Sequence, residues 1–268
     1  MTRFARTGPP LTTAVLLFAT ACTAAPDTPA TPNETTTVSL PAPPSPSPPS
    51  ADAAVRAVPD EQWQRMRDTG MIRAGCPITS PDQLRRVEIN HYDFEGKVRR
   101  GVLVVNADTA DTVVRAFTAL FDAEFPIRRM RPLEEYGGDS TASLAADNTA
   151  AFNCRREDQI NAPAQESPHA NGRAIDINPL ENPWKDLRCT CWQPTAEYRE
   201  RVEGRGKILE GGPVWRTFRD EGWIWQNIDV PDYMHFDTGY PSKPYEGPGA
   251  RPTATEGEDE GEGGAPAP

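Results

Sequence analysis

Two short stretches constrain this chain's fold more than anything else in it: Ser167-Pro168-His169-Ala170-Asn171-Gly172-Arg173-Ala174-Ile175-Asp176 and Asp232-Tyr233-Met234-His235. They contain two of the three histidines in the sequence, together with two aspartates. Neutral imidazoles and a carboxylate can share one metal ion only if the chain brings them together. His169 and Asp176 are seven residues apart; on one continuous helix that is about 10 Å of rise, too far for two ligands of one ion. A turn must separate them, and Asn171-Gly172 supplies it. The expected arrangement is a histidine before a turn, an aspartate on the strand after it, and His235 on a separate strand. Two His and one Asp leave a fourth position vacant, as in a catalytic zinc site. Asp232, three residues before His235, is expected to face that position.

The elements around these stretches are mixed. Glu61 to Ile72 has helical spacing of Trp63, Met66 and Met71. Val87 to Tyr92 and Val98 to Val105 read as strands around the turn Phe94-Glu95-Gly96-Lys97. Asn106-Ala107-Asp108 offers a helix start, and Val113, Val114, Phe117, Leu120 and Phe121 recur at helical spacing. Phe125–Met130, Ala150–Arg155, Arg173–Asn178, Trp223–Gln226 and Tyr233–Asp237 are further strand candidates, and Pro213 opens a helix through Asp220. Strands and helices do not alternate strictly, so an α+β fold is expected: one compact domain with a small antiparallel sheet flanked by helices. His91, in the first hairpin, reads as a structural strand histidine.

Composition bounds the rest. Residues 1–21 carry Arg3 and Arg6 ahead of a short apolar run, Leu11–Ala21, which fits an export signal and is too short to span a bilayer. Phe18-Ala19-Thr20-Ala21-Cys22 resembles a bacterial lipobox, so membrane contact is expected only through a lipid on Cys22. Residues 22–58 are a Pro-rich tether, able to reach on the order of 100 Å if extended. The folded domain is expected over 59–245, with a disordered acidic tail over 246–268. Five of the eleven excess negative charges lie in that tail, at Glu256, Glu258, Asp259, Glu260 and Glu262. With the remainder still acidic, nucleic acid is excluded as a partner. Setting Cys22 aside, Cys76, Cys154, Cys189 and Cys191 allow two disulfides in an exported protein, with three connectivities. Bonding between Cys189 and Cys191 would strain the loop, so each is expected to pair with Cys76 or Cys154.

The spaced motif Ser-x-His-x-x-Gly-x-Ala-x-Asp, followed by Asp-x-x-His, resembles the zinc D,D-carboxypeptidase and peptidoglycan endopeptidase family (peptidase family M15), which includes vancomycin-resistance carboxypeptidases and phage endolysins. Phe125-Pro126-Ile127, Asp147-Asn148-Thr149, Ala151-Phe152-Asn153-Cys154-Arg155 and Ile175-Asp176-Ile177-Asn178-Pro179 extend the similarity. The resemblance implies a hedgehog/DD-peptidase-like fold, Zn2+ held by His169, Asp176 and His235, and Asp232 as general base. It implies an arginine that stabilises the developing oxyanion, assigned to Arg155 with Arg156 as fallback; Ser167 is expected to orient the loop or contact substrate. A bound zinc lowers the pKa of water toward about 7, and a nearby carboxylate can take the proton. The implied activity is zinc-dependent hydrolysis of peptidoglycan stem peptides by a monomer outside the cytoplasmic membrane. D-alanyl-D-alanine carboxypeptidase comes first, then L-Ala-D-Glu endopeptidase, then a catalytically silent wall-binding lipoprotein. Two stretches depart from the family's commoner pattern: Gly222-Trp223-Ile224-Trp225-Gln226-Asn227, and Asp186-Leu187-Arg188-Cys189-Thr190-Cys191-Trp192, the latter expected to form a disulfide-pinned loop over one cleft wall.

Overall fold

A computed structural model describes residues 48–159 and 163–249. The expected export signal, lipobox, most of the tether and the acidic run of the tail lie outside the described residues. In chain order the elements are β1 (Ala54–Ala57), α1 (Asp60–Asp68), β2 (Leu84–Tyr92), β3 (Val98–Asn106), α2 (Ala110–Asp122), β4 (Arg129–Met130), α3 (Ser140–Ala145), β5 (Asn148–Thr149), β6 (Ala174–Asp176), β7 (Trp184–Asp186), β8 (Cys191–Gln193), α4 (Pro213–Asp220), β9 (Ile224–Trp225) and β10 (His235–Asp237). The architecture is α+β, built from small sheets and four helices.

β1, β2 and β3 form an antiparallel sheet in that order. Its hairpin closes where the Asp93 carboxylate accepts the backbone N–H groups of Glu95 and Lys97. β1 lies within the span that composition assigns to the tether. Its four residues pair with Arg85–Glu88, and Ala51 and Val58 on either side of it are buried. So short a strand carries no periodic signal of its own; its pairing with β2 holds it in place.

α2 lies on this sheet through Val113, Ala116, Phe117, Leu120 and Phe121, one stripe at helical spacing, all buried against Val87, Ile89, Leu103 and Val105. Asn106 caps the helix entry by accepting the Asp108 N–H. A second antiparallel sheet, β6-β10-β9, joins the same core through α4. Phe218 of α4 stacks on Phe236 of β10 at 4.3 Å and meets Phe117 and Trp223 edge-on at 5.9 and 5.7 Å. Trp223 Nε1 donates to Thr112 Oγ1 of α2. Trp223 is thus a core residue of the departing stretch, and the Trp225 indole is taken up by the Tyr233 carbonyl.

A smaller core lies under α1 and includes Met66, Met71, Ile78, Leu84, Val104, Phe152 and the Cys76–Cys154 disulfide. The other disulfide joins Cys189 to Cys191. This corrects the expectation that each of those two pairs with Cys76 or Cys154. Thr190 adopts φ +55°, which turns the chain tightly enough to bring the flanking Cα atoms to 5.1 Å. Bonds of this kind belong to an oxidising compartment, in keeping with an extracellular protein. Among the described residues no helix is long and apolar enough to cross a membrane.

The turn between the two motif ligands depends on Gly172. It has φ +70°, and a Cβ there would sit 2.7 Å from the Asn106 backbone nitrogen, which donates to the Gly172 carbonyl. Left-handed backbone costs a residue with a side chain about 1–2 kcal/mol, and here β3 must also move. Gly172→Ala is expected to lower unfolding stability by about 2 kcal/mol or more and to weaken metal binding; thermal unfolding and metal titration check both.

Candidate metal centre

The chain builds the site from three local structures. The first is the turn over 167–173, in which Gly172 N donates to the His169 carbonyl and Arg173 N to that of Pro168. The second is β6, carrying Asp176. The third is β10, whose antiparallel register with β6 places His235 directly opposite Asp176. A length of extended chain, 150–153, locks them together: Ala150 exchanges backbone hydrogen bonds with Asp176, Phe152 N donates to Val104 O, and Asn153 N to His169 O.

His169 Nε2, His235 Nδ1 and Asp176 Oδ1 lie 3.1–3.2 Å from one another. Zinc–ligand bonds of about 2.0–2.1 Å in a tetrahedron place ligand atoms about 3.3 Å apart, so the triangle fits one such ion. The opposite ring nitrogens fix the tautomers. His169 Nδ1 is 2.8 Å from the Ala151 carbonyl, which only accepts, and His235 Nε2 is 3.0 Å from Asp237 Oδ2. Both outer nitrogens therefore carry hydrogen, and the lone pairs of the inner ones point at the Asp176 carboxylate. Three electron-rich atoms in mutual contact require a shared cation or an extra proton. His169, Asp176 and His235 form a group able to hold a metal ion.

Charges around the triangle point the same way. Burial opposes ionisation of Asp176, but both imidazoles hold it well below the usual carboxylate range. Burial likewise opposes a charged His235, yet its hydrogen bonds to Asp176 and Asp237 raise it well above an ordinary histidine. Loss of hydration raises Asp232 to about 7, with the charge on Asp176 adding to the shift and His235 and Arg155 opposing it. Asp232 Oδ1 is buried with no hydrogen-bond partner, and Asp232 lines the same cleft as the triangle.

The remaining expected residues line the same cleft of about 720 Å³: Arg155, Ser167 and Asp232 together with the three ligands. Arg155 has φ +62°, and its Nη1 donates to Ser167 Oγ at 3.3 Å. Ser167 Oγ also accepts from Ala170 N, so one hydroxyl stitches the turn and steadies the guanidinium. Arg156 lines the cleft too, but it is taken up by Asp158, Asp139 and the Gly137 carbonyl. His91 is buried in β2 against the Tyr92 carbonyl and is not a cleft residue. Asp229 is exposed and outside the cleft lining.

Asp237, which the sequence offers only as a neighbour competing with Asp232 for the role of base, is instead the partner of His235. It is fully buried, orients His235 through Oδ2, and is itself held through Oδ1 by Asn227 Nδ2 and Gly239 N. The signal was present: in a strand, residues two apart share a face, so His235-Phe236-Asp237 places a carboxylate beside the imidazole. Such partners fix the tautomer and basicity of a ligand histidine.

Residues 161–238 match the family model described as D-alanyl-D-alanine carboxypeptidase. That segment contains the turn, β6, the β7–β8 hairpin, α4, β9 and β10, so the similarity to an M15 peptidase domain takes in every member of the triangle. Comparisons with curated proteins and with solved structures returned no match.

Two substitutions test the centre. His169→Ala should abolish stoichiometric zinc in mass spectrometry of metal content. Asp237→Ala should keep the ligands but weaken zinc affinity about 10–100-fold in a chelator competition.

Proposed function

We propose that this chain is a zinc-dependent D-alanyl-D-alanine carboxypeptidase of peptidoglycan stem peptides, exported and tethered by lipid at Cys22. The observation that carries the reading is the convergence of three lone pairs beside an unpartnered Asp232 carboxylate and a restrained Arg155, within a segment that matches this family.

When bound by His169, Asp176 and His235, zinc supplies a more acidic water and a Lewis acid for the scissile carbonyl. Asp232 is the proton carrier. Loss of hydration raises it above an ordinary carboxylate, which suits a group that takes a proton from the attacking water and returns it to the leaving amine. Arg155 stays cationic although burial lowers its pKa, and Asp176 and Asp232 favour its charge. Its guanidinium is placed to stabilise negative charge gathering on the carbonyl oxygen. Ser167 holds that guanidinium in line and keeps the His169 turn closed. Asp237 keeps His235 in the tautomer that presents Nδ1.

The complete set of ligands, base and cation favours an enzyme over a silent wall-binding protein. Purified zinc-loaded chain should release D-alanine from stem pentapeptide, and mass analysis of digested muropeptides should show loss of a single terminal residue. Cleavage within the stem would assign the endopeptidase reading instead; stoichiometric zinc with no hydrolysis would favour the binding protein. Asp232→Asn should retain zinc and lose about 10²–10⁴-fold in kcat.

A further inference from the structure

The β7–β8 hairpin forms one wall of the cleft through Trp184, Asp186, Arg188 and Gln193. Its stem is fastened to the backbone around Asp232: Trp184 bridges Asp232, Lys185 N donates to Pro231 O at 2.7 Å, and Tyr233 N donates to Pro183 O. Its tip is closed by the Cys189–Cys191 disulfide. Arg188 stands immediately before that bond. Its Nε and Nη2 clamp the Asp186 carboxylate at 2.8–3.3 Å, and its guanidinium lies 6.0 Å from the Trp184 ring centre. Backbone N–H of Arg188 also donates to Asp186.

A guanidinium presents two forks to carboxylates, and only one is used here. Among the described residues no acceptor bonds Nη1, and the side chain is 65 % exposed. Hydrogen bonding to Asp186 raises the Arg188 pKa, and its charge reaches Arg155 across the cleft. Position then decides which charge it serves. The leaving amine must lie close to Asp232, which returns the proton to it, and the hairpin is fastened to the backbone on both sides of Asp232. In a carboxypeptidase that amino acid carries the free carboxylate, two bonds from the amine nitrogen.

We infer that Arg188, pre-set by Asp186 and the Cys189–Cys191 turn, receives the C-terminal carboxylate of the substrate and makes the site selective for chain ends. This rests on the peptidase reading above. It places the selectivity in the stretch that departs from the family's commoner pattern.

The test compares one stem peptide ending in D-Ala-D-Ala as free acid and as C-terminal amide, with the zinc-loaded full chain. One charge-assisted pair predicts that wild type prefers the acid by about 10–100-fold in kcat/KM. Arg188→Gln should bring that ratio close to one, chiefly through KM for the acid, and Arg188→Lys should recover part of it. An unchanged ratio in Arg188→Gln, or equal losses on both substrates, overturns the assignment, the latter because a merely structural role would produce it. Wild type that cleaves both substrates equally also overturns it and leaves the peptidase reading standing. Wild type that cleaves neither overturns the peptidase reading and this inference with it.

Discussion

The site depends on the pairing of β10 with β6. His235 and Asp176 are separated by 58 intervening residues, yet they face each other across one antiparallel ladder. A three-residue strand cannot hold its own register. Phe236 supplies the missing constraint: it is fully buried and stacked on Phe218, so its neighbours His235 and Asp237 are turned to the opposite face, toward the cleft. A slip of one residue would exchange the two faces, burying an imidazole in the core and exposing Phe236. The aromatic cluster of α2, α4 and β10 therefore sets the direction in which a metal ligand points, as well as contributing stability.

The same division explains how much was legible from the chain. α2 was readable because its apolar positions recur at helical spacing after Asn106, and α4 because Pro213 marks its start. The β2–β3 hairpin was readable from its β-branched runs and its Gly96 turn. The ligands were readable from spacing, since only a turn could reconcile His169 with Asp176. Elements without periodicity were not. α3, Ser140–Ala145, has a single large apolar residue and is held by its Asp139 cap. Expected strands over 125–130 and 150–155 shrink to β4 and the extended segment after β5, because much of their hydrogen bonding goes to single bridges and to the His169 turn. The Cys189–Cys191 bond was misjudged because loop strain was weighed without the positive φ that Thr190 accepts in an exposed turn.

Charge balance links this geometry to chemistry. Asp176, Asp232 and Asp237 gather around two imidazoles, and Arg155 is the cation that shares their low-dielectric space. Burying like charges together is unfavourable unless they are paired or neutralised. Burial first, then the charge on Asp176, raises Asp232, and hydrogen bonds to Asp176 and Asp237 raise His235. A divalent cation held by His169, Asp176 and His235 would supply the positive charge that this space calls for and would favour the ionised form of Asp232. In the proposed enzyme, metal binding, proton release and the readiness of Asp232 to act as a base would be one coupled equilibrium rather than three separate properties.

That coupling also separates what the core motif can determine from what the hairpin can. In the proposed reaction the triangle, Asp232 and Arg155 would all act on the scissile amide and its oxygen, and any peptide bond offers both. Nothing in them distinguishes a chain end from a bond inside a stem. A free carboxylate is the one group that a chain end has and an internal bond lacks, so recognising it takes a positive charge outside the reacting centre. Arg188 satisfies that requirement: it is cationic, keeps one fork open, and sits on a hairpin tied to Asp232 at its base and closed by a disulfide at its tip. The hairpin lies outside the β6-β10-β9 sheet, so a change of side chain at Arg188 leaves untouched the register that brings His235 to Asp176.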